Sequence, residues 1–209
     1  MHSRVSHTAR RNFTALTRLD QNRATSLLAS MLKVPPSSVG PVVIWGNHSG
    51  TQFPDAQFAT VAESPSNGDR RTSAAAALVS CGKLPSPAAA NEWLSGQFIS
   101  TIQQRGAAVI AKRGASSAGS AANAICDHMR DWMFGTGGRV VSMGVVTNGT
   151  WYGLPEGLVF SLPVTIDSKG EYTVVDDLGV TAAHPRIAAT TAELVKERET
   201  ALGLGASHL

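Results

Sequence analysis

Two stretches, Leu16-Thr17-Arg18-Leu19-Asp20-Gln21-Asn22-Arg23 and Trp45-Gly46-Asn47-His48-Ser49-Gly50, decide how this chain reads. Around the first, apolar residues recur at helical intervals from Phe13 to Lys33 (Leu16, Leu19, Ala24, Leu27, Leu28, Met31, Leu32), and Pro35-Pro36 ends the pattern. The second follows Pro41-Val42-Val43-Ile44-Trp45, a β-branched run that reads as a buried strand delivering Asn47, His48 and Ser49 at its end. Asp20 and Arg23 are i and i+3 on the helix, so they share one face, beside Leu16 and Leu27. Two readings stand. One is an intrahelical ion pair plus a structural histidine. The other is a carboxylate that holds an imidazole in one tautomer, with a guanidinium that grips a substrate carboxylate of a small hydroxy or keto acid.

Working outward, Phe58 to Val61 reads as a short strand, Ser64 to Arg71 as a surface loop, Lys83 to Pro87 as a break, and Ala74 to Val79 as ambiguous. Ala88 to Lys112 predicts one long helix kinked near Gly106. Ser116 to Met133 predicts another, rich in small residues and stopped by Gly135, Gly137 and Gly138. Val140 to Val146, Leu158 to Ile166 and Glu171 to Val175, parted by Asn148-Gly149 and Lys169-Gly170, predict an antiparallel meander. Pro185 to Leu202 closes as an amphipathic helix whose Glu193, Lys196, Glu197 and Arg198 are expected to face water.

Composition narrows the classes. The 209 residues, 43% hydrophobic, are enough for a proper core, and a charged fraction of 16% is low enough to suggest a surface partly covered by a partner. The net charge of +3 lacks the clustered Lys/Arg stripe of a nucleic-acid binder. No run of 18 apolar residues predicts a membrane span. Cys81 and Cys126 fit no metal-ligand spacing, so free thiols and no metal site are expected, in an intracellular protein. The terminal Ser207-His208-Leu209 is a conservative variant of a peroxisomal Ser-Lys-Leu address and leaves that organelle or the glycosome as the alternative to the cytoplasm.

These residues resemble the NAD-dependent malate dehydrogenases, specifically the cytosolic-type branch of the lactate/malate dehydrogenase family. Arg11 to Asp20 and Val43 to Ser49 look like the family's catalytic segments, and Arg105 to Ile110, Ser116 to Ala118, Ala124 to His128 and Val141 to Val145 continue the likeness in order. The resemblance implies an α+β fold of long helices packed on a twisted antiparallel sheet. It implies that His48 is the acid/base, that Asp20 orients it, and that Arg23 anchors the substrate carboxylate. Ser117 and Asn47 would bind substrate, and Leu19, His48 and Ser117 would line the nicotinamide side of an NAD site. Malate and oxaloacetate, and a second copy in a homodimer, are the implied partners.

The largest departure is an absence. No Gly-x-Gly-x-x-Gly follows a first strand, and Gly135-Thr136-Gly137-Gly138 precedes a strand instead. The expectation is a divergent segment 1–10, a substrate-binding and catalytic domain 11–203 and a tail 204–209, with the N-terminal Rossmann domain absent and the chain inactive alone. Two alternatives remain: a dehydrogenase of another, aromatic 2-hydroxy acid, or a non-catalytic half that pairs with a full-length subunit.

Overall fold

The computed structural model describes residues 11–62, 70–176 and 178–203. The divergent segment 1–10, most of the 64–71 loop and the Ser-His-Leu tail lie outside these. Helix α1 (Arg18–Leu32) runs into a short 3-10 turn (Pro36–Ser38) and strand β1 (Val43–Trp45), which pairs antiparallel with β2 (Phe53–Asp55). A second hairpin joins β3 (Thr60–Ala62) to β4 (Arg71–Ser73). Four short helices follow: α2 (Ala74–Ser80), α3 (Pro87–Ser95), α4 (Gln97–Gln103) and α5 (Arg105–Arg113). Helix α6 (Ala118–Phe134) leads to the meander β5 (Val141–Val146), β6 (Val159–Ile166) and β7 (Tyr172–Val174), and α7 (Pro185–Ala201) ends the fold.

The sheet expected as one unit is divided into a three-stranded meander and two hairpins. The meander and the β1–β2 hairpin meet where Ser161 exchanges backbone hydrogen bonds with Gly46 at 2.7 and 3.2 Å. The core fills the space between these strands and α1, with Trp45, Phe98, Phe160, Leu28 and Leu78 all but fully buried.

Three expectations are corrected. The first helix begins at Arg18, not Phe13, because Ala15 is spent in a two-bond bridge to Gly144 at 2.8 and 3.0 Å. A Cβ at Gly144 would lie 2.6 Å from that of Ala15, so only glycine admits the approach. The Ala88–Lys112 helix is three helices, broken at Gly96 and Gln104 and not at Gly106. Arg71, read as loop, opens β4; its guanidinium donates to Thr60 Oγ1 at 2.7 Å and to the Ser38 carbonyl at 3.0 Å. The ambiguous alanine run is helical because Ser73 caps it, accepting from the Ala76 amide.

Helix α1 is fixed on two sides. Gln21 donates to the Val42 carbonyl and accepts from the Ser142 amide at 2.9 Å, stitching the helix between β1 and β5. On the α6 side, Arg18 meets Asp131 at 2.6 Å and Asn22 donates to Asp127 at 2.9 Å. Those contacts set the height of Asp20 and Arg23 against the loop after β1.

Candidate active site

Asp20, in the first turn of α1, is fully buried, and its two oxygens take two different partners. Oδ2 accepts from His48 Nδ1 at 2.5 Å, and Oδ1 accepts from Arg23 Nη1 at 3.4 Å. Proximity brings His48 to α1 across 28 residues of sequence. Just after β1, Gly46, with a φ of +90°, turns the chain into the 47–51 loop. The His48 side chain keeps 54% of its surface in solvent while the carboxylate it holds keeps none. With Nδ1 on the carboxylate, Nε2 is the nitrogen available for proton exchange with a small molecule.

The hydrogen bond that His48 donates to Asp20, aided by that carboxylate's charge, holds the imidazole above its ordinary pKa, against burial and the Arg23 charge, which push it down. Arg23 is mostly buried and extends its second amino group, Nη2, to Ser117 Oγ at 3.2 Å. Ser117 stands at the N-cap of α6 but caps no amide with its side chain, so its hydroxyl is available to Arg23. Leu19 is half-buried beside Asp20 in sequence.

The structure thus links His48, Asp20, Arg23 and Ser117 in one chain of hydrogen bonds. Asn47 is buried and bonded within its own loop: its side-chain Oδ1 accepts from the Ser49 amide at 3.3 Å, and its Nδ2 donates to Thr51 Oγ1 at 3.1 Å. Sequence reasoning assigned Glu193 to solvent, yet its Oε2 accepts hydrogen bonds from Ser49 Oγ at 2.9 Å and from Thr51 Oγ1. No local signal links residues so far apart in sequence.

His128 and His184 stay outside this cluster. His128 is buried on α6 with Nε2 on Thr14 Oγ1 at 2.9 Å, and His184 caps α7 and stacks on Phe53. A cleft of ≈ 790 Å³ lies against the opposite face of α1, lined in part by Arg18, Gln21, Asn22 and Thr25, and another of ≈ 610 Å³ lies beside Trp151 and Tyr172. Neither includes His48 or Arg23. Among the described residues no group of three or more His, Cys, Asp or Glu could hold a metal ion, and no helix is long and apolar enough to cross a membrane.

Residues 17–203 match the family described as lactate/malate dehydrogenase, alpha/beta C-terminal domain. The chain is 49% identical over 195 residues to the probable malate dehydrogenase 3 of Dictyostelium discoideum, covering 91% of this chain and 53% of that protein. It is 49% identical over 194 residues to the cytoplasmic malate dehydrogenase of Caenorhabditis elegans, covering 92% and 53%. It thus spans about half the length of the curated relatives it matches. Among solved structures, a malate dehydrogenase from Naegleria fowleri superposes with a TM-score of 0.75 at 35% identity, over 91% of this chain and 52% of that one. A Trichomonas vaginalis lactate dehydrogenase in complex with NADH and oxamate superposes with a TM-score of 0.79 at 31% identity, over 95% and 56%. The chain belongs to the lactate/malate dehydrogenase family, within which it corresponds to the alpha/beta C-terminal domain.

Proposed function

We propose that this chain carries the substrate-binding and acid–base half of an NAD-dependent malate dehydrogenase, interconverting L-malate and oxaloacetate. The observation that carries the reading is the buried Asp20 carboxylate shared between a half-exposed His48 and Arg23. In oxidation His48 Nε2 accepts the proton of the malate hydroxyl, and the imidazolium formed is stabilised by Asp20. In reduction it returns that proton to the oxaloacetate carbonyl. Arg23 holds the carboxylate next to the reacting carbon, and its fork geometry sets the substrate's orientation as well as its charge balance. Ser117, within reach of the Arg23 guanidinium, and Asn47, next to His48 in its loop, are the further substrate-binding residues of this reading.

NAD, when bound, supplies the acceptor for the hydride leaving the malate carbon. Half-buried, apolar Leu19, beside Asp20 in the chain, the His48 imidazole and the Ser117 hydroxyl are the residues that would line the nicotinamide side of that cofactor.

A cytoplasmic location is supported by the names of the relatives from Caenorhabditis elegans and Zea mays. A homodimer is supported by α6, where Ile125, Met129 and Met133, at i, i+4 and i+8, expose 51%, 43% and 61% of their surface along one face. Sedimentation of Met129→Glu is expected to show monomer where the unaltered chain shows dimer.

The likeness to a lactate dehydrogenase keeps open other 2-hydroxy acids, because the same His, Asp and Arg suit any of them. Fusing this chain to the amino-terminal half of the Dictyostelium relative tests both. The fusion is expected to reduce oxaloacetate with NADH in preference to phenylpyruvate, and His48→Ala to lose about 10²–10⁴-fold in rate. A folded fusion that binds NADH but prefers phenylpyruvate, or turns over neither, overturns the malate assignment.

A further inference from the structure

Helix α7 meets the His48 loop at both of its shoulders. On the upstream side Thr190, fully buried, accepts the Asn47 amide on Oγ1 at 3.1 Å, and a Cβ at Gly46 would fall 2.1 Å from that same oxygen. The backbone before His48 is therefore pressed directly onto the helix. On the downstream side Glu193, one turn along the same face of α7, accepts Ser49 Oγ at 2.9 Å and Thr51 Oγ1. Inside the loop Thr51 N donates to Ser49 Oγ at 3.1 Å, and the Asn47 amide ties both ends together.

We infer that Glu193, seconded by Thr190, is a positioning residue for His48: the last helix grips Asn47, Ser49 and Thr51 and so fixes the imidazole at hydrogen-bond distance from Asp20. Loop residues left to themselves sample many conformations, and a 2.5 Å contact across 28 residues of chain needs the backbone on both sides of the histidine held. Asp20 is fully buried on α1 while His48 stands half-exposed on a loop, so the placement of the pair turns on how the loop is held. Hydrogen bonds from Thr51, Ser49 and Asn47 hold Glu193 below the ordinary carboxylate range, against slight desolvation, so it stays charged and accepting wherever His48 titrates. The charges acting on His48 are Asp20 and Arg23, both on α1; Glu193 acts through the loop.

This inference rests on the reading of His48 and Asp20 as an acid–base pair, and one titration separates the two. The His48 imidazole of the 209-residue chain is followed by NMR from pH 5 to 9, with its signal assigned by its loss in His48→Gln. Glu193→Ala is expected to lower the midpoint toward the ordinary imidazole value. Glu193→Gln, whose amide oxygen still accepts from both hydroxyls, is expected to restore most of it. The double variant Ser49→Ala with Thr51→Val keeps the Glu193 charge and the Asn47 contact but cuts both hydroxyl links, and is expected to lower the midpoint in the same direction as Glu193→Ala; it carries the test if Glu193→Ala does not fold. Equal falls in the Ala and Gln variants would mean that Glu193 acts only through its charge, and no fall in Glu193→Ala or in the double variant would mean that the helix does not position the loop. Either result overturns the inference. Asp20→Asn is the control for the underlying reading: a midpoint unmoved by that change removes the pair itself, whatever Glu193 does.

Discussion

Arg23 touches Asp20 at 3.4 Å and Ser117 at 3.2 Å, both at or beyond the long end of the hydrogen-bond range. A guanidinium held this loosely is placed without being satisfied, so an incoming carboxylate can take its donors at shorter range. Lysine keeps the charge but presents a point donor in place of a fork. In the fused enzyme Arg23→Lys is therefore expected to lower kcat/KM for oxaloacetate by about tenfold to a hundredfold, the loss of roughly one charge-assisted hydrogen bond of about 1.5–3 kcal/mol. Steady-state kinetics checks it, and an unchanged kcat/KM would remove Arg23 from the anchor's role. At this scale much of the site was legible, because Asp20 and Arg23 share a face by helical arithmetic alone. Their link to His48 came from family resemblance, since no periodicity reports which loop folds over which helix.

Among the elements, α1 is the one on which the site depends, and its hold on α6 is ionic. Arg18 and Asp131 are almost wholly buried at 2.6 Å, with Arg139 on the other Asp131 oxygen at 2.7 Å. Asp131→Ala leaves the Arg18 charge buried, its Nε already without a partner, and is expected to destabilise the chain by about 3–5 kcal/mol. Urea unfolding measures this; a loss under about 1 kcal/mol would mean that Arg18 finds water or another acceptor. The elements read correctly from sequence were those with long, regular periods: α1 past its first turn, α6, the meander and α7. Those misread were decided by distant contacts. Ala15 left the helix to pair with Gly144, β2 formed because Phe53-Pro54-Asp55 lies against β1, and the 88–112 stretch broke where Gly96 departs from helical backbone. Glu193 was assigned to water because amphipathic periodicity records which face a side chain occupies, not which loop crosses that face.

For the molecule as a whole, His48 and His128 are perturbed in opposite directions. Asp20's hydrogen bond raises the folded pKa of His48 above the unfolded value of about 6.5. Its contribution is fully present below that value and is lost as pH rises through the folded pKa. Burial lowers the folded pKa of His128, helped by the Arg18 charge and opposed by Asp131, and its Nδ1 is buried without a partner. Because the unfolded state then binds the proton more readily, its contribution is present above about pH 6.5 and is lost as pH falls from there through the folded pKa. The two slopes adjoin and have opposite signs, so between them they place a stability maximum close to the ordinary imidazole pKa. Glu193, held low, titrates below this window. Urea midpoints measured from pH 5.5 to 8 are expected to rise, pass through that maximum and fall. His128→Phe is expected to flatten the acid limb alone and Asp20→Asn the alkaline limb alone. An Asp20→Asn chain that keeps its alkaline decline would show that the pair is not what couples folding to protons there. The substrate proton exchanged at His48 would then lack the buried partner on which the acid–base reading depends.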